Sequence, residues 1–183
     1  SYVMIGFVSS CFGESGQVTL AVVVNLIEFA VVMDGVGMAL QPLVGTYFGE
    51  GNHVLIKRVM KSGIKAAVVE GIIATLFIWI FTKQFCALFG ITSDSALTPS
   101  ITALRIVSLG FTFCSVVSLT TSYYMLVDHV GMATCFACLH NGILYILLPI
   151  LGSLAFGING MWTGFAVAPI LALICAYLYV YLR

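Results

Sequence analysis

The sequence predicts an all-α polytopic membrane protein, and three observations carry that prediction. Hydrophobic residues make up 61% of the 183 and charged residues only 8%, against about 25% charged in an ordinary soluble domain; the mean hydropathy is +1.14. Apolar stretches long enough to cross a bilayer, which takes about 20 helical residues, recur between short breaks rich in Gly, Asn, Asp and Pro. Four of the seven basic residues crowd into 57–65, an asymmetry that orients a membrane protein. The formal net charge is zero, so a lipid bilayer is the expected partner and a nucleic acid is not.

Taken in order, the elements are a stub and five full spans. Residues 1–12 are apolar but too short to span. They lack the basic start and cleavage site of a signal peptide, and read as the end of a truncated helix in a longer protein. The first full span covers about 18–48 and ends at GEGNH, 49–53. The second, 66–89, follows a basic connection at 49–65 and is closed by GITSDSALTP, 90–99. There, Ser95 or Thr98 ahead of Pro99 reads as the N-cap and first turn of the next helix. The third and fourth spans, 101–127 and 132–154, are separated by VDHVG, and the fifth, 158–182, follows FGING. Trp79, Phe81, Phe85, Phe89, Tyr177, Tyr179 and Tyr181 gather towards span ends, as interfacial aromatics do.

Charge orients this threading. Lys57, Arg58, Lys61 and Lys65 place the 49–65 connection in the cytoplasm. Alternation then puts 90–99 and 156–160 outside, and 127–131 and the C-terminus inside.

Polar residues inside apolar spans are costly and point to function. The first full span carries Asn25, Glu28 and Asp34. Asn25 and Glu28, three apart, share a helix face. Asp34 lies about 120° away at 3.6 residues per turn, on the face of Gln41. Glu28 near mid-depth reads as a carboxylate that titrates or binds a cation, with an interhelical hydrogen bond as the alternative. For Asp34, closer to the cytoplasm, the packing reading is the stronger. Glu70 lies near the cytoplasmic entry of its span; its stem can snorkel to the interface, and an interfacial or structural role is the stronger reading, with a functional one as the alternative. His140 and Asn141 interrupt the fourth span, with Tyr145 nearby; they line a cavity or bond to a neighbouring helix, and a histidine there changes charge near neutral pH. The hydroxyl-rich run SVVSLTTSYY, 115–124, faces either a cavity or a tight helix contact.

Enzyme motifs are absent: there is no GxSxG, HExxH, GxxxxGK[ST] or GxGxxG. His53, His129 and His140 are too scattered for one metal site, and Cys135-x-x-Cys138 has no second pair. A non-enzymatic protein with no cofactor or metal is expected.

The stretch GVGMALQPLVGTYFGEGN, 35–52, resembles the signature of the multidrug and toxic compound extrusion (MATE) family, with Gly37, Gln41, Pro42, Gly45, Gly49, Gly51 and Asn52 followed by Lys57 and Arg58. LRIVSLGF at 104–111, HNGILYILLPIL at 140–151 and FGINGMW at 156–162 resemble later helices of the same family. The resemblance implies a transporter of twelve helices in two six-helix lobes, with this chain as the C-terminal lobe and an N-terminal lobe as its partner. It implies an antiporter in the plasma membrane that expels drugs or toxic organic compounds in exchange for H+ or Na+, with substrate between the lobes. Its tenth helix would be 101–127, which has no carboxylate until Asp128, so the family's acidic site there does not carry over. Glu28, assisted by Asn25 and with Asp34 behind it, remains for cation coupling. His140, Asn141 and Tyr145 are the cavity candidates. Gly37, Gln41, Pro42, Gly45 and Gly49 would let the helix bend. The alternatives are a lipid-linked oligosaccharide flippase of the same superfamily, which calls for a cationic cavity, and a non-transporting membrane scaffold.

Overall fold

A chain without water around it must satisfy its backbone internally, which favours helices. The computed structural model describes residues 2–32, 35–91 and 94–181, and every regular element among them is helical. In order these are α1 (Tyr2–Val32), α2 (Gly35–Gly49), α3 (His53–Leu88), α4 (Asp94–Ser108), α5 (Phe111–Leu126), α6 (Val130–Ala137), a π-helical segment (Cys138–Leu144) and α7 (Tyr145–Tyr181). By length and composition, His53–Leu88 and Val130–Leu178 each suffice to cross a membrane, and the bent pair Ala96–Ser108 and Phe111–Leu126 makes a third candidate.

The expected span 18–48 falls across α1 and α2. Their junction, including Asp34, lies outside the described residues. α1 is itself broken at Gly13, whose φ/ψ of 66°/−159° is not helical. α2 carries Pro42 within it, and Thr46 Oγ1 donates to the Pro42 carbonyl at 2.9 Å.

The basic segment 49–65 is not the connection the sequence led us to expect. The chain turns only at 50–52, and α3 starts at His53. Gly51 takes φ +69°, a conformation open to glycine at little cost. Asn52 Oδ1 then accepts from the Leu55 N–H at 3.2 Å and caps the helix. The 36 residues of α3 are about 54 Å long at 1.5 Å per residue, more than a hydrocarbon core requires. Its first turns therefore hold Lys57, Arg58, Lys61 and Lys65, all exposed. The buried stripe Gly63, Ala67, Gly71, Ala74, Ile78, Thr82 and Cys86 runs along one side of the helix and packs on α2, α4 and α5.

α4 begins at Asp94, so Pro99 sits inside the helix rather than in its first turn. The expected span 101–127 is broken between α4 and α5, which bend by 43°. Backbone groups released by such a break need new partners, and α3 supplies them. Thr75 Oγ1 lies 2.8 Å from the Ser108 carbonyl and 2.8 Å from the Gly71 carbonyl, either of which takes its proton. Trp79 Nε1 donates to Ser108 Oγ at 3.1 Å, and Ser108 Oγ donates to the Arg105 carbonyl at 2.9 Å.

α7 is too long for one span and folds back on itself. Phe156 and Gly157 leave helical φ/ψ, with Gly157 at φ +65°, where a side chain would be strained. Beyond this break, a Cβ on Gly160 would collide with the Gly152 carbonyl, and one on Gly164 would collide with the backbone of Leu148 and Pro149. Such pairs meet only if the limbs before and after the break run antiparallel in close backbone contact.

The main core joins Leu20, Val23 and Leu26 of α1, Ile78 of α3, Leu104 of α4, Phe111 of α5 and Trp162 of α7. A smaller cluster of Val117, Leu144, Ala168 and Ala172 ties α5 to both limbs of the α7 hairpin and the π-helical segment.

Candidate functional site

A cavity of about 450 Å³ opens among these helices. α5 forms its longest wall. Ser115, Ser118, Thr121 and Ser122 line it together with Phe111, Cys114 and Val117, because three- and four-residue steps keep them on one helix face. Ser115 Oγ donates to the Phe111 carbonyl at 3.2 Å, and Thr121 Oγ1 to the Val117 carbonyl at 2.9 Å. These two hydroxyls thus spend their protons on their own helix and keep lone pairs as acceptors.

The π-helical segment and the start of α7 close the opposite side with His140, Asn141 and Tyr145. His140 is buried. Its ring meets the Tyr145 ring edge to face at 4.9 Å, and its Nε2 lies 4.0 Å from Cys114 Sγ. Tyr145 Oη and Cys114 Sγ share a hydrogen bond of 3.1 Å that either group can donate. Phe165 packs behind Tyr145 at 5.8 Å between ring centroids. π-Helical turns occur frequently at functional sites, and here one puts two consecutive polar residues, His140 and Asn141, on the cavity wall.

α3 contributes Glu70, Gly71 and Ala74, and α1 contributes Ile27. Gly71 allows α3 to lie against α5: a Cβ there would collide with the Thr112 backbone. Glu70, next to this closest approach, is half-buried with its Oε2 enclosed.

All three sequence-based cavity candidates, His140, Asn141 and Tyr145, therefore line one cavity. Glu28 and Asn25 do not. Both are exposed on α1, and Asn25 Nδ2 donates locally to the Ala21 carbonyl at 2.7 Å. Their neighbour Ile27 reaches the cavity instead. Asp34 lies outside the described residues. In α2, Gly37 is buried, whereas Gln41 and Pro42 are exposed and Gly49 ends the helix.

Glu70 adds to what the sequence reading offered. It forms part of the cavity wall, a place that the sequence reading did not give it. The signal was present in the sequence. Ala67, Gly71 and Ala74 are small residues at helical spacing, and Glu70 falls within their stripe, opposite exposed Val69, Ile72 and Ile73. Among the described residues no group of three or more His, Cys, Asp or Glu side chains is placed to hold a metal.

Long apolar helices packed around a cavity with a polar strip along one wall suit a membrane-embedded protein, and the comparisons with known proteins name its family. The sequence profile of the MatE family matches residues 1–148. The chain belongs to this family of multi-pass membrane transporters, the multidrug and toxic compound extrusion family. Solved structures similar to it include a MATE transporter crystallised in complex with MaL6, at 19% identity and a TM-score of 0.88, covering 100% of this chain and 42% of that one. A multidrug resistance MATE family transporter of the MOP superfamily, in an outward-facing conformation, matches at 18% identity and a TM-score of 0.89, covering 100% and 41%. A MOP superfamily transporter from Pyrococcus furiosus, whose binding pocket is of reverse polarity, matches at 16% identity and a TM-score of 0.86, covering 100% and 41%. The chain thus spans about two-fifths of the solved transporters it matches. Comparison of its sequence with curated proteins finds no match.

Proposed function

We propose that this chain is the C-terminal lobe of a secondary active antiporter that exports drugs or other toxic organic compounds in exchange for H+ or Na+. The observation that carries the reading is the cavity: about 450 Å³, within the size range of small-molecule sites, walled by α3, α5 and the π-helical segment of a transporter-family chain. The exposed basic start of α3 lies in the cytoplasm by the positive-inside rule, and alternation places the C-terminus there too. The N-terminal lobe of the full-length protein covers the face that carries Glu28 and Asn25. Rocking of the two lobes gives alternating access. A cation bound at Glu28, with Asn25 beside it and Asp34 further along, favours one arrangement and so changes substrate affinity.

The cavity weighs against a lipid-linked oligosaccharide flippase. A pyrophosphate calls for Lys or Arg, and the residues lining this space include neither, while Glu70 is acidic.

The test is efflux by the full-length transporter in everted vesicles under imposed H+ or Na+ gradients. Glu28→Gln is expected to lower ion-driven export at least tenfold. Wild-type export with unchanged ion dependence would remove Glu28 from coupling. Absence of gradient-driven export in the wild type would remove the antiporter reading.

A further inference from the structure

We infer that Cys114 and His140 form a two-ligand site for a soft monovalent metal cation, copper(I) or silver(I), that joins α5 to the π-helical segment. The site lies in the cavity wall and does not depend on the antiporter reading. Cys114 Sγ and His140 Nε2 stand 4.0 Å apart, and both side chains border the open space. Bonds from a closed-shell ion to thiolate and imidazole run about 2.3 Å and about 2.0 Å. One ion held by both, in a nearly straight line, therefore spans about the distance observed. The two residues are 26 apart in sequence, so no spacing motif announces the pair. The fold brings them together. The i→i+5 step of the π-helical segment sets His140 edge to face on Tyr145 at 4.9 Å, and Tyr145 Oη holds Cys114 Sγ at 3.1 Å.

Ligand chemistry selects the ion. The contact between thiol and imidazole is a weak hydrogen bond, and a soft cation can replace its proton. The S–H bond breaks, the S–metal bond forms, and the proton leaves to water in the cavity. Thiolate is a ligand that selects copper(I), and imidazole suits copper as well. A thiolate and a monovalent cation cancel, so the site stays neutral in a wall shared with Ile27, Ala74 and Phe111. A divalent ion would leave a net positive charge on the pair, which is costly away from water. Zinc also asks for four ligands, or three with a water. Among the described residues no third His, Cys, Asp or Glu joins these two, Glu70 across the cavity included. Copper(I) and silver(I) accept linear two-coordination and need only the pair.

Copper(I) binding to the full-length transporter tests this, in detergent, without oxygen, against the chromophoric chelator bicinchoninate. Every cysteine except Cys114 and the fully buried Cys86 is first changed to Ser, because Cys11, Cys135, Cys138 and Cys175 are exposed thiols that would take the ion as well. This protein is expected to retain one copper(I) per chain. X-ray absorption at the copper edge should show one sulfur and one imidazole nitrogen, a readout that needs no change at the site. Cys114→Ser should weaken binding at least a hundredfold. His140→Phe, which keeps a ring against Tyr145, should weaken it at least tenfold. His129→Ala, in the exposed turn before α6, should change it less than twofold. Copper(I) held by sulfur alone, or with equal affinity in His140→Phe, overturns the inference, because the thiol would then suffice. So does undiminished binding in Cys114→Ser, or zinc(II) held as tightly as copper(I). A protein that melts like the wild type and retains no copper(I) overturns it too.

Discussion

Trp162 is fully buried in α7, stacked on Phe165 with ring centroids 6.3 Å apart. Among the described residues its indole Nε1 has no acceptor. A buried indole N–H usually finds one, so the ring earns its place here by volume rather than by hydrogen bonding. Trp162→Phe is therefore expected to cost little, and Trp162→Ala about 3–5 kcal/mol through the cavity it leaves. Thermal melting of the full-length protein in detergent measures the difference; equal losses in both variants would mean that the N–H matters after all. Thr75 is the opposite case, a small side chain whose value is polar. Thr75→Val keeps the shape but removes the proton from the Ser108 carbonyl at the α4–α5 bend, and should lower stability by about 1 kcal/mol in the same measurement.

At the scale of elements, two breaks shape the molecule. The bend between α4 and α5 survives because α3 satisfies the polar groups it releases. The hairpin in α7 survives because glycines let its limbs touch backbone to backbone. Gly160→Leu should be the more damaging of two Leu substitutions in α7, since its side chain must displace the Gly152 carbonyl. A cost of about 1–3 kcal/mol is the usual scale of overpacking, and more is expected where backbone itself must move. Val167→Leu, at an exposed position on the same limb, should melt with the wild type. Equal melting of Gly160→Leu and Val167→Leu would show that the limbs do not meet as described.

Over the whole molecule, the exposed surface carries many large apolar side chains, among them Ile80, Leu88, Leu154 and Phe156, which a bilayer or a second lobe solvates and water does not. The exposed cationic start of α3 gives that surface a direction. In a cysteine-free full-length background, Glu50→Cys should react with a membrane-impermeant maleimide only from the cytoplasmic side, and Asn159→Cys, just past the α7 break, only from the outside. Labelling of both from one side would contradict the threading.

Composition alone was enough to call for helices in a membrane, because 8% charge and repeated apolar stretches leave the backbone no other way to satisfy itself. Local residues also marked the turn at GEGN and the break at FGING, where glycines with positive φ sit. The motif at 35–52 led to the family. Sequence did not decide which carboxylate looks into a cavity. Glu28 and Glu70 both stand among apolar residues, and the small residues Ala67, Gly71 and Ala74 beside Glu70 mark a close contact without saying what borders it until the neighbouring helices are placed. Packing resolved it: Glu70 lies in the stripe that α3 presses against α5, while Glu28 is turned outward from α1. The same holds for the bend between α4 and α5, whose stabilising partners are Thr75 and Trp79, about thirty residues away in α3. The sequence by itself determined the solvent, the all-helical class and the family, because those depend on composition and short-range pattern. Only the tertiary structure decided where the cavity lies and which charge it holds, because both depend on contacts between distant parts of the chain.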